Sequence, residues 1–277
     1  QVTWGLANVK APEFWSIFGR RGEGILVANI DSGVQYNHPA LAASYKCAGG
    51  ILPENECWYD PVSNPPSAKP QDGLGHGTHT MGTMVASDDP ALQYTAGMAP
   101  RAQWIACRAF ITNETTNEML NACADWILAP GGDPSRRPHV VNNSWGDTPT
   151  DEWFLPKVEA WRAAGIFPVF SAGNAGAFEQ CSEIGSPAEY QESFAVAAHD
   201  SSGTAAWFSS QGPGAFGDVP YTKPNLSAPG VNIWSSIPNN GWGIKNGTSM
   251  AAPHVAGAVA LLWSCNPALV GQIDLTF

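Results

Sequence analysis

The chain has 277 residues, 44% of them hydrophobic, which is enough for one sizeable core or two small ones. Its 24 acidic and 13 basic residues give a net charge of −11, which argues against a nucleic-acid partner. The longest apolar run is too short to span a membrane, and no basic-then-apolar signal segment opens the chain.

Short apolar runs alternate with helical segments along the chain. Five runs have the character of buried parallel strands: 25–31, 103–110, 139–145, 166–173 and 193–199. Four segments have the character of helices, the last of them apolar all round and therefore buried: 78–87, 117–128, 151–165 and 251–263. This alternation predicts an α/β three-layer sandwich with a mainly parallel sheet, whose ligand sites lie at the carboxyl ends of the strands.

The six cysteines permit fifteen pairings. The pair Cys47–Cys57 flanks a loop that contains Gly, Pro and Asn, which predicts a short disulfide hairpin. Cys107 on a strand and Cys123 on the next helix are a second candidate pair, and elimination then leaves Cys181 with Cys265. Because no CxxC occurs, a zinc ribbon or a thioredoxin-like motif is disfavoured. The even count favours an oxidising, extracellular compartment.

Three polar residues lie where the predicted strands and helices meet. Asp31 ends the first strand, where a charge is costly unless it is paired or functional, although Asp-Ser-Gly is also a common turn. His76 lies between glycines in GLGHGTHT (73–80), and HGTH does not have the HExxH zinc spacing. Ser249 opens the buried helix in NGTSMAAPH (246–254), where it is either a simple N-cap or a nucleophile aided by free backbone N–H groups.

These segments resemble the signature blocks of the subtilisin-like serine proteases, the subtilase family. The blocks DSGV (31–34), GHGTHTMGT (75–83), SAGN (171–174) and NGTSMAAPHVAG (246–257) follow in the order of that family. The opening, WGLANVKAPEFW, is similar to the bacillopeptidase F branch. The likeness covers Trp4 to Pro267 and implies a subtilisin-like fold with one peptidase catalytic domain over residues 1–277.

The resemblance also implies roles for individual residues. Ser249 is expected to be the nucleophile, His76 the general base and then acid, and Asp31 the group that orients the imidazole. Asn174 matches the side-chain donor of the oxyanion hole, beside the backbone N–H of Ser249. The expected substrate-binding residues form a peptide-pairing strand, a pocket wall and a pocket floor: Ser144, Trp145, Gly146, Ala172, Gly173 and Gly185. Trp145 is equally well interpreted as a core residue.

The expected activity is that of a secreted serine endopeptidase. A glycine floor leaves room for Phe, Tyr, Leu or Met, so we expect broad specificity with an apolar or aromatic residue before the scissile bond. Asp147 and Asp151 make a kexin-like preference for basic residues the second hypothesis. The third is a catalytically silent subtilase-fold protein that binds peptides, which the intact triad and Asn174 disfavour. An esterase is disfavoured because Gly-x-Ser-x-Gly is missing.

The expected chemistry needs no cofactor, but the resemblance is compatible with a bound structural calcium ion. The strong calcium site of the family uses an aspartate where HPAL places Ala40. Asp88 and Asp89 are candidate ligands of a different site, and Ala188 and Tyr190 match the backbone ligands of the weaker family site.

The expected partners are polypeptide substrates and an N-terminal pro-segment that is removed on maturation, consistent with a chain that begins at Gln1 rather than Met. We expect a monomer without a nucleic-acid or membrane partner. Since family domains continue past the buried helix, the end at QIDLTF predicts either a truncated C-terminal end or a briefer closure of the fold.

Overall fold

The structure is a computed structural model that describes residues 1–146, 151–176, 181, 183–214 and 220–277. Its helices are α1 (Trp4–Asn8), α2 (Ala11–Phe18), α3 (His76–Val85), α4 (Asn117–Leu128), α5 (Leu155–Ala163), α6 (Thr248–Cys265) and α7 (Ile273–Thr276). Its strands are β1 (Leu26–Asp31), β2 (Trp58–Tyr59), β3 (Gln103–Arg108), β4 (Val140–Asn143), β5 (Phe167–Ser171), β6 (Phe194–His199), β7 (Leu226–Pro229), β8 (Ile233–Ile237) and β9 (Gly241–Lys245).

Seven parallel strands form the central sheet in the order β2-β3-β1-β4-β5-β6-β7, and β8 and β9 form a separate antiparallel hairpin. Every residue of β1 is buried, as a strand covered on both faces requires. Helices α3 and α6 pack against each other on one face. Helices α4 and α5 contact each other and pack against β1 and β5 on the opposite face. The predicted three-layer α/β sandwich is confirmed.

The strand order reverses at β1, and this determines where the crevice lies. The chain passes from β1 to the edge strand β2 and returns through α3 to β3, which pairs with β1 on one side, whereas β4 pairs with β1 on the other side. Asp31 ends β1, Ser144 follows β4, and Ser171 ends β5, so the three residues meet at one edge of the sheet. A crevice at such a switch point is the usual ligand site of a parallel sheet.

The sequence patterns locate the long buried elements to within a few residues and miss the short ones. The predicted helix at 151–165 begins only at α5, because Pro156 is accommodated in the first helical turn. The missed elements are short or lie partly at the surface: α1, α2, α7, β2, β7, β8 and β9. Among the described residues, no helix has both the length and the apolar character that crossing a bilayer requires.

Two of the three cysteine pairs are disulfides in the structure, Cys47–Cys57 and Cys107–Cys123. The pairing of Cys181 with Cys265 is wrong, because both are free thiols. Cys181 lies close in sequence to Glu183 on the crevice, whereas Cys265 is at the far end of α6. Cys265 lies sixteen positions after Ser249 in α6, which is about 24 Å along the helix axis and far beyond the reach of a disulfide.

Candidate active site

The carboxylate of Asp31 is buried, with 3% of the residue exposed, and it meets three donors. Its Oδ1 accepts from the backbone N–H of Ser32 and from Nδ1 of His76, each at 2.7 Å. The hydroxyl of Thr80 lies 3.4 Å from Oδ2. Because Nδ1 of His76 donates to this carboxylate, Nε2 of the neutral ring is left as the acceptor. The imidazole is therefore held in the tautomer that a general base needs.

Charges around His76 determine the direction of its pKa shift. Burial by itself would lower the pKa of His76, but the charge of Asp31 and the hydrogen bond to it raise the pKa above the ordinary 6.5. Asp72 raises the pKa of His76 as well, whereas the positive charge of Lys245 lowers it. About a third of the His76 side chain, 33%, remains exposed to the crevice.

Glycines allow helix α3 to approach β1 closely. Gly75 precedes the helix at φ +73°, a conformation that other residues rarely adopt. A Cβ on Gly77 would lie 2.1 Å from the carbonyl oxygen of Gly33 and 3.1 Å from the Asp31 side chain. The short distance between His76 and Asp31 therefore requires a residue without a side chain, glycine, at position 77.

The loop that carries His76 is ordered by Asp72, a residue that the sequence patterns did not single out. Its Oδ1 accepts from the hydroxyl of Ser32 and from the backbone N–H groups of Leu74 and Gly75, at 2.8–3.1 Å. Its Oδ2 accepts from the N–H and the hydroxyl of Thr78. The sequence signal that could have identified Asp72 is the Asp-Gly pair just before α3, a common Asx-turn pattern.

Ser249 lies in the first turn of α6, where the backbone N–H groups have no acceptor within the helix. Its hydroxyl donates to the carbonyl of Ser144 at 3.0 Å, and the hydroxyl of Ser144 donates to the carbonyl of Ser249 at 2.8 Å. The Ser249 proton is thus directed to Ser144 rather than to His76, although both side chains line the same crevice. The hydroxyl must turn away from this carbonyl before it can donate to the imidazole.

A buried chain of hydrogen bonds joins the serine segment to helix α3. The Asn142 side chain donates to the hydroxyl of Ser144 and to the side-chain oxygen of Asn29, each at 3.0 Å. Asn29 in turn donates to the carbonyl of Gly77 and the hydroxyl of Thr80. Asn29, Asn142 and Ser144 lie on or just after β1 and β4, and Gly77 and Thr80 lie on α3, so the hydrogen bonds connect the two sides of the crevice.

The side chain of Asn174 has a defined orientation. Its Oδ1 accepts from the backbone N–H of Thr248 at 2.9 Å, and because that group only donates, the amide oxygen must face it. The Thr248 hydroxyl also donates to Oδ1 and accepts from the N–H of Gly173. The NH2 group of Asn174 therefore points away from Thr248, and Asn174 lines the crevice together with Ser249.

The crevice has a volume of about 890 Å³. It brings together every site residue that the sequence predicted: Asp31, His76, Ser144, Trp145, Gly146, Ala172, Gly173, Asn174, Gly185 and Ser249. The two interpretations of Trp145 both hold, since its ring lines the crevice and also packs edge-on against Phe154 and Phe170 at 5.2 and 5.7 Å.

Other lining residues were missed. Phe110, Thr112 and Asn113 follow the carboxyl end of β3, and that position was the signal that would have found them. Glu183 lies two residues before Gly185 and also lines the crevice, so an acidic residue lies near the predicted pocket floor. Lys245, at the end of β9, is the other charged group that was overlooked.

The structure describes one of the two aspartates that the sequence offered as partners for basic substrates. Asp151 is exposed, and its carboxylate accepts the N–H of Trp153 at 3.1 Å. Asp147 lies outside the described residues.

The candidate calcium ligands do not fit a calcium site. The carboxylate of Asp88 meets the guanidinium groups of Arg21 and Arg101 at 2.7 and 3.5 Å, so two fixed cations occupy the place of an ion. Asp89 caps the N–H of Ala91. The methyl of Ala40 is buried, and the carbonyl of Tyr190 accepts from Ser193. Among the described residues, no group of three or more His, Cys, Asp or Glu is arranged to hold a metal.

Comparison of this chain with known proteins identifies relatives in one family. Residues 22–272 match the sequence model of the subtilase family. Bacillopeptidase F of Bacillus subtilis (strain 168) is 44% identical over 284 aligned positions, which cover 97% of this chain and 19% of that protein. Subtilisin E of the same organism is 33% identical, with 96% of this chain and 62% of subtilisin E covered. Subtilisin of Bacillus pumilus is 32% identical, with 96% and 86% covered. The chain thus spans less than two thirds of the first two relatives.

Replacing Asp72 by Asn tests whether this carboxylate supports His76. The charge that raises the pKa of His76 is lost, so an NMR titration of the imidazole should give a lower pKa than in the unmodified protein. Because the partly buried hydrogen bonds of the loop to Asp72 are weakened, the free energy of unfolding should also fall by about 1–3 kcal/mol.

The matched control is Asp200→Asn, which removes a similar loop carboxylate that accepts from Ser202 and Thr204 away from the crevice. Its His76 titration should be unchanged. If Asp72→Asn leaves the His76 titration unchanged, the carboxylate does not act on the imidazole.

Proposed function

The chain belongs to the subtilase family, and from that premise we propose that it is a secreted serine endopeptidase of broad specificity. The catalytic residues proposed are Ser249 as nucleophile, His76 as general base and acid, and Asp31 as the group that orients the imidazole. The observation that carries the proposal is the 2.7 Å hydrogen bond from Nδ1 of His76 to buried Asp31, in the crevice that Ser249 also lines. We propose that residues 1–277 form one catalytic domain.

In the proposed reaction, the Ser249 hydroxyl turns from Ser144 toward Nε2 of His76, which takes its proton as Oγ attacks the peptide carbonyl. The carboxylate of Asp31 stabilises the imidazolium that forms. Collapse of the tetrahedral intermediate returns the proton from His76 to the leaving amine and leaves an acyl-enzyme at Ser249. His76 then deprotonates a water that attacks the acyl carbon, and it returns this proton to Oγ of Ser249 as the Oγ–acyl bond breaks and the acid leaves. Side chains and backbone of the chain perform each step, so the chemistry requires no cofactor.

The oxyanion formed in this reaction is proposed to bind the NH2 group of Asn174 and the backbone N–H of Ser249. The support is the orientation of the amide, whose oxygen is occupied by Thr248. Donors held in place before the reaction stabilise the developing charge without reorganisation, which is why such groups contribute strongly to the rate.

The substrate is proposed to be an extended polypeptide that lies between two segments of the crevice. Residues 144–146 after β4 form one side, and Phe110, Thr112 and Asn113 after β3 form the other. A peptide placed there can pair with backbone groups as an added strand. Ala172, Gly173 and Gly185 would surround the side chain before the scissile bond, and their small size leaves room for Phe, Tyr, Leu or Met.

A preference for basic residues before the scissile bond is the second candidate specificity, because Glu183 lines the crevice beside Gly185. We rank it second because burial of an apolar side chain contributes the larger binding free energy. Burial of a Phe or Leu side chain contributes about 1.5–3 kcal/mol. Oε2 of Glu183 is buried, so an ion pair there must first offset the cost of desolvating both charges.

Secretion, a removed pro-segment and a monomeric state are parts of the same proposal. The two disulfides support an oxidising compartment. Family membership supports a pro-segment and polypeptide substrates. The net charge of −11 speaks against a nucleic-acid partner.

A sulfonyl fluoride should label Ser249 and abolish hydrolysis of casein, because this hydroxyl shares the crevice with His76 and lies at the N-terminus of α6. Mass spectrometry of the labelled peptide checks the position, and the other serines of the chain are internal controls. Ser249→Ala should lower kcat by about 10⁶-fold, a magnitude established for subtilisin itself. In His76→Ala the serine remains but the labelling rate should collapse. Peptide binding without hydrolysis by the unmodified chain would instead favour the silent peptide-binding hypothesis.

Asn174→Ala should lower kcat by about 10²–10³-fold with little change in KM, since the lost hydrogen bond forms mainly in the transition state; the magnitude again comes from subtilisin. Steady-state kinetics on one peptide substrate measures both constants. Asn174→Asp keeps the size and the acceptor for Thr248 but removes the NH2 donors, so it should show a comparable loss. An unchanged kcat in both variants would mean that another group binds the oxyanion.

Matched peptides that differ only in the residue before the scissile bond should show kcat/KM for Phe and Leu above that for Lys and Arg. Glu183→Gln should lower kcat/KM for Lys and Arg alone, because only those side chains use the carboxylate. Asp151→Asn is the control for a nearby exposed charge. Arg substrates that exceed Phe in the unmodified enzyme, with the advantage lost in Glu183→Gln, would establish the basic preference instead.

A further inference from the structure

Lys245 is the cation of the crevice that the proposed reaction does not use. It ends β9, four residues before Ser249, and its half-buried side chain lines the crevice with His76 and Ser249. Its charge acts on the imidazole of His76. Lys245 therefore lies close enough to the reacting groups for a substrate to meet it.

The other lysines of the chain already have partners. Of the six in the sequence, five meet a carboxylate, an amide or a carbonyl oxygen: Lys10 with Glu13, Lys46 with Gln103, Lys69 with Glu54, Lys157 with Asp125 and Lys223 with Ser193. Within the part of the chain that the structure describes, Lys245 has no such partner. In a protein of net charge −11, a half-buried ammonium group of this kind is available for an acidic ligand.

The side of the crevice on which Lys245 lies follows from its hairpin. Ser235 on β8 donates to the carbonyl of His79 at 2.8 Å, and Nε2 of His79 donates to the carbonyls of Ile233 and Gly243. Burial lowers the pKa of His79 to about 3, so this ring stays neutral and keeps donating. The hairpin is thus attached to α3, the helix that begins at His76, and Lys245 belongs to the His76 side of the crevice.

The proposed proton transfer brings the His76 side of the crevice next to the leaving fragment of the substrate. His76 must deliver its proton to the leaving amine, so the leaving fragment contacts the imidazole. The acyl fragment lies instead toward Gly173 and Gly185, whose segments follow β5 and precede β6. A positive charge beside His76 therefore faces the first residues of the leaving fragment.

We infer that Lys245 is a specificity-determining residue for the leaving fragment, and that it selects peptides with Asp or Glu directly after the scissile bond. This inference rests on the proposed peptidase activity. The attraction is Coulombic, and no covalent step involves the lysine. A neutral or basic residue at the same substrate position loses this attraction or meets repulsion.

The test uses internally quenched peptides that differ only after the scissile bond, in Asp/Asn and Glu/Gln pairs. The unmodified enzyme should favour the acid over its amide by about twofold to fivefold in kcat/KM at low salt, the range of a half-exposed ion pair. Lys245→Gln should bring the ratio close to one, and Lys245→Glu should invert it. Salt at about 1 M should weaken the preference of the unmodified enzyme. Lys10→Gln changes the net charge equally but removes an exposed lysine, so its ratio should stay as in the unmodified enzyme.

A second readout separates a charge effect from a loss of structure. The groups that act on the charge of His76 are Asp31 and Asp72, which raise its pKa, and Lys245, which lowers it, while His79 and His76 repel each other when charged. In Lys245→Gln the acid limb of kcat/KM should therefore move to higher pH, and in Lys245→Glu further still. A merely structural lysine would lower the rate without moving this limb.

The outcomes also distinguish this inference from the proposed function. If the unmodified enzyme cleaves no peptide, the proposed peptidase activity itself fails. If it cleaves the acid and amide peptides at equal rates, or if the preference persists in Lys245→Gln, the peptidase activity stands and the role of Lys245 is wrong.

Discussion

The buried carboxylate of Asp31 is the constraint on which the rest of the site depends. A carboxylate removed from water without partners costs several kcal/mol, so donors must surround it. The chain supplies them from the next residue, Ser32, and from the first two turns of α3, through His76 and Thr80. His76 and Thr80 reach Asp31 because α3 approaches β1 at Gly77, where a side chain would collide with the backbone. Pairing the charge and positioning the imidazole are therefore one structural requirement.

The serine side of the crevice solves a different problem, that of unpaired backbone groups at the start of a buried helix. At the start of α6, Thr248 donates its N–H to the amide oxygen of Asn174. This bond turns the NH2 group of Asn174 away from Thr248, as the proposed oxyanion hole requires. The polar chain from Ser144 through Asn142 and Asn29 then ties this helix to α3. Because these polar groups are buried, each must keep its partner, and the distance between the two helices is restricted accordingly.

The charged groups of the crevice are divided between its two sides. Small residues and the carboxylate of Glu183 lie where the acyl fragment is proposed to bind, whereas Lys245 lies on the side of His76. The charges along the crevice are thus distributed asymmetrically, and the lysine that we propose to select the leaving fragment also lowers the pKa of His76. Under that proposal, one charge affects both substrate selection and the pH range of the imidazole.

The sequence alone determined the alternating architecture, because apolar runs and helical periodicity are local signals. It also determined which residues meet at the crevice, since the ends of parallel strands share an edge and the motif blocks place Asp31, His76, Asn174 and Ser249 there. Three features were decided by tertiary structure: the separation of Cys181 from Cys265, the partners of Asp72, and the presence of Glu183 and Lys245 in the crevice. The physical reason is that hydrogen bonds, ion pairs and disulfides depend on distances between segments remote in sequence, which local patterns do not encode.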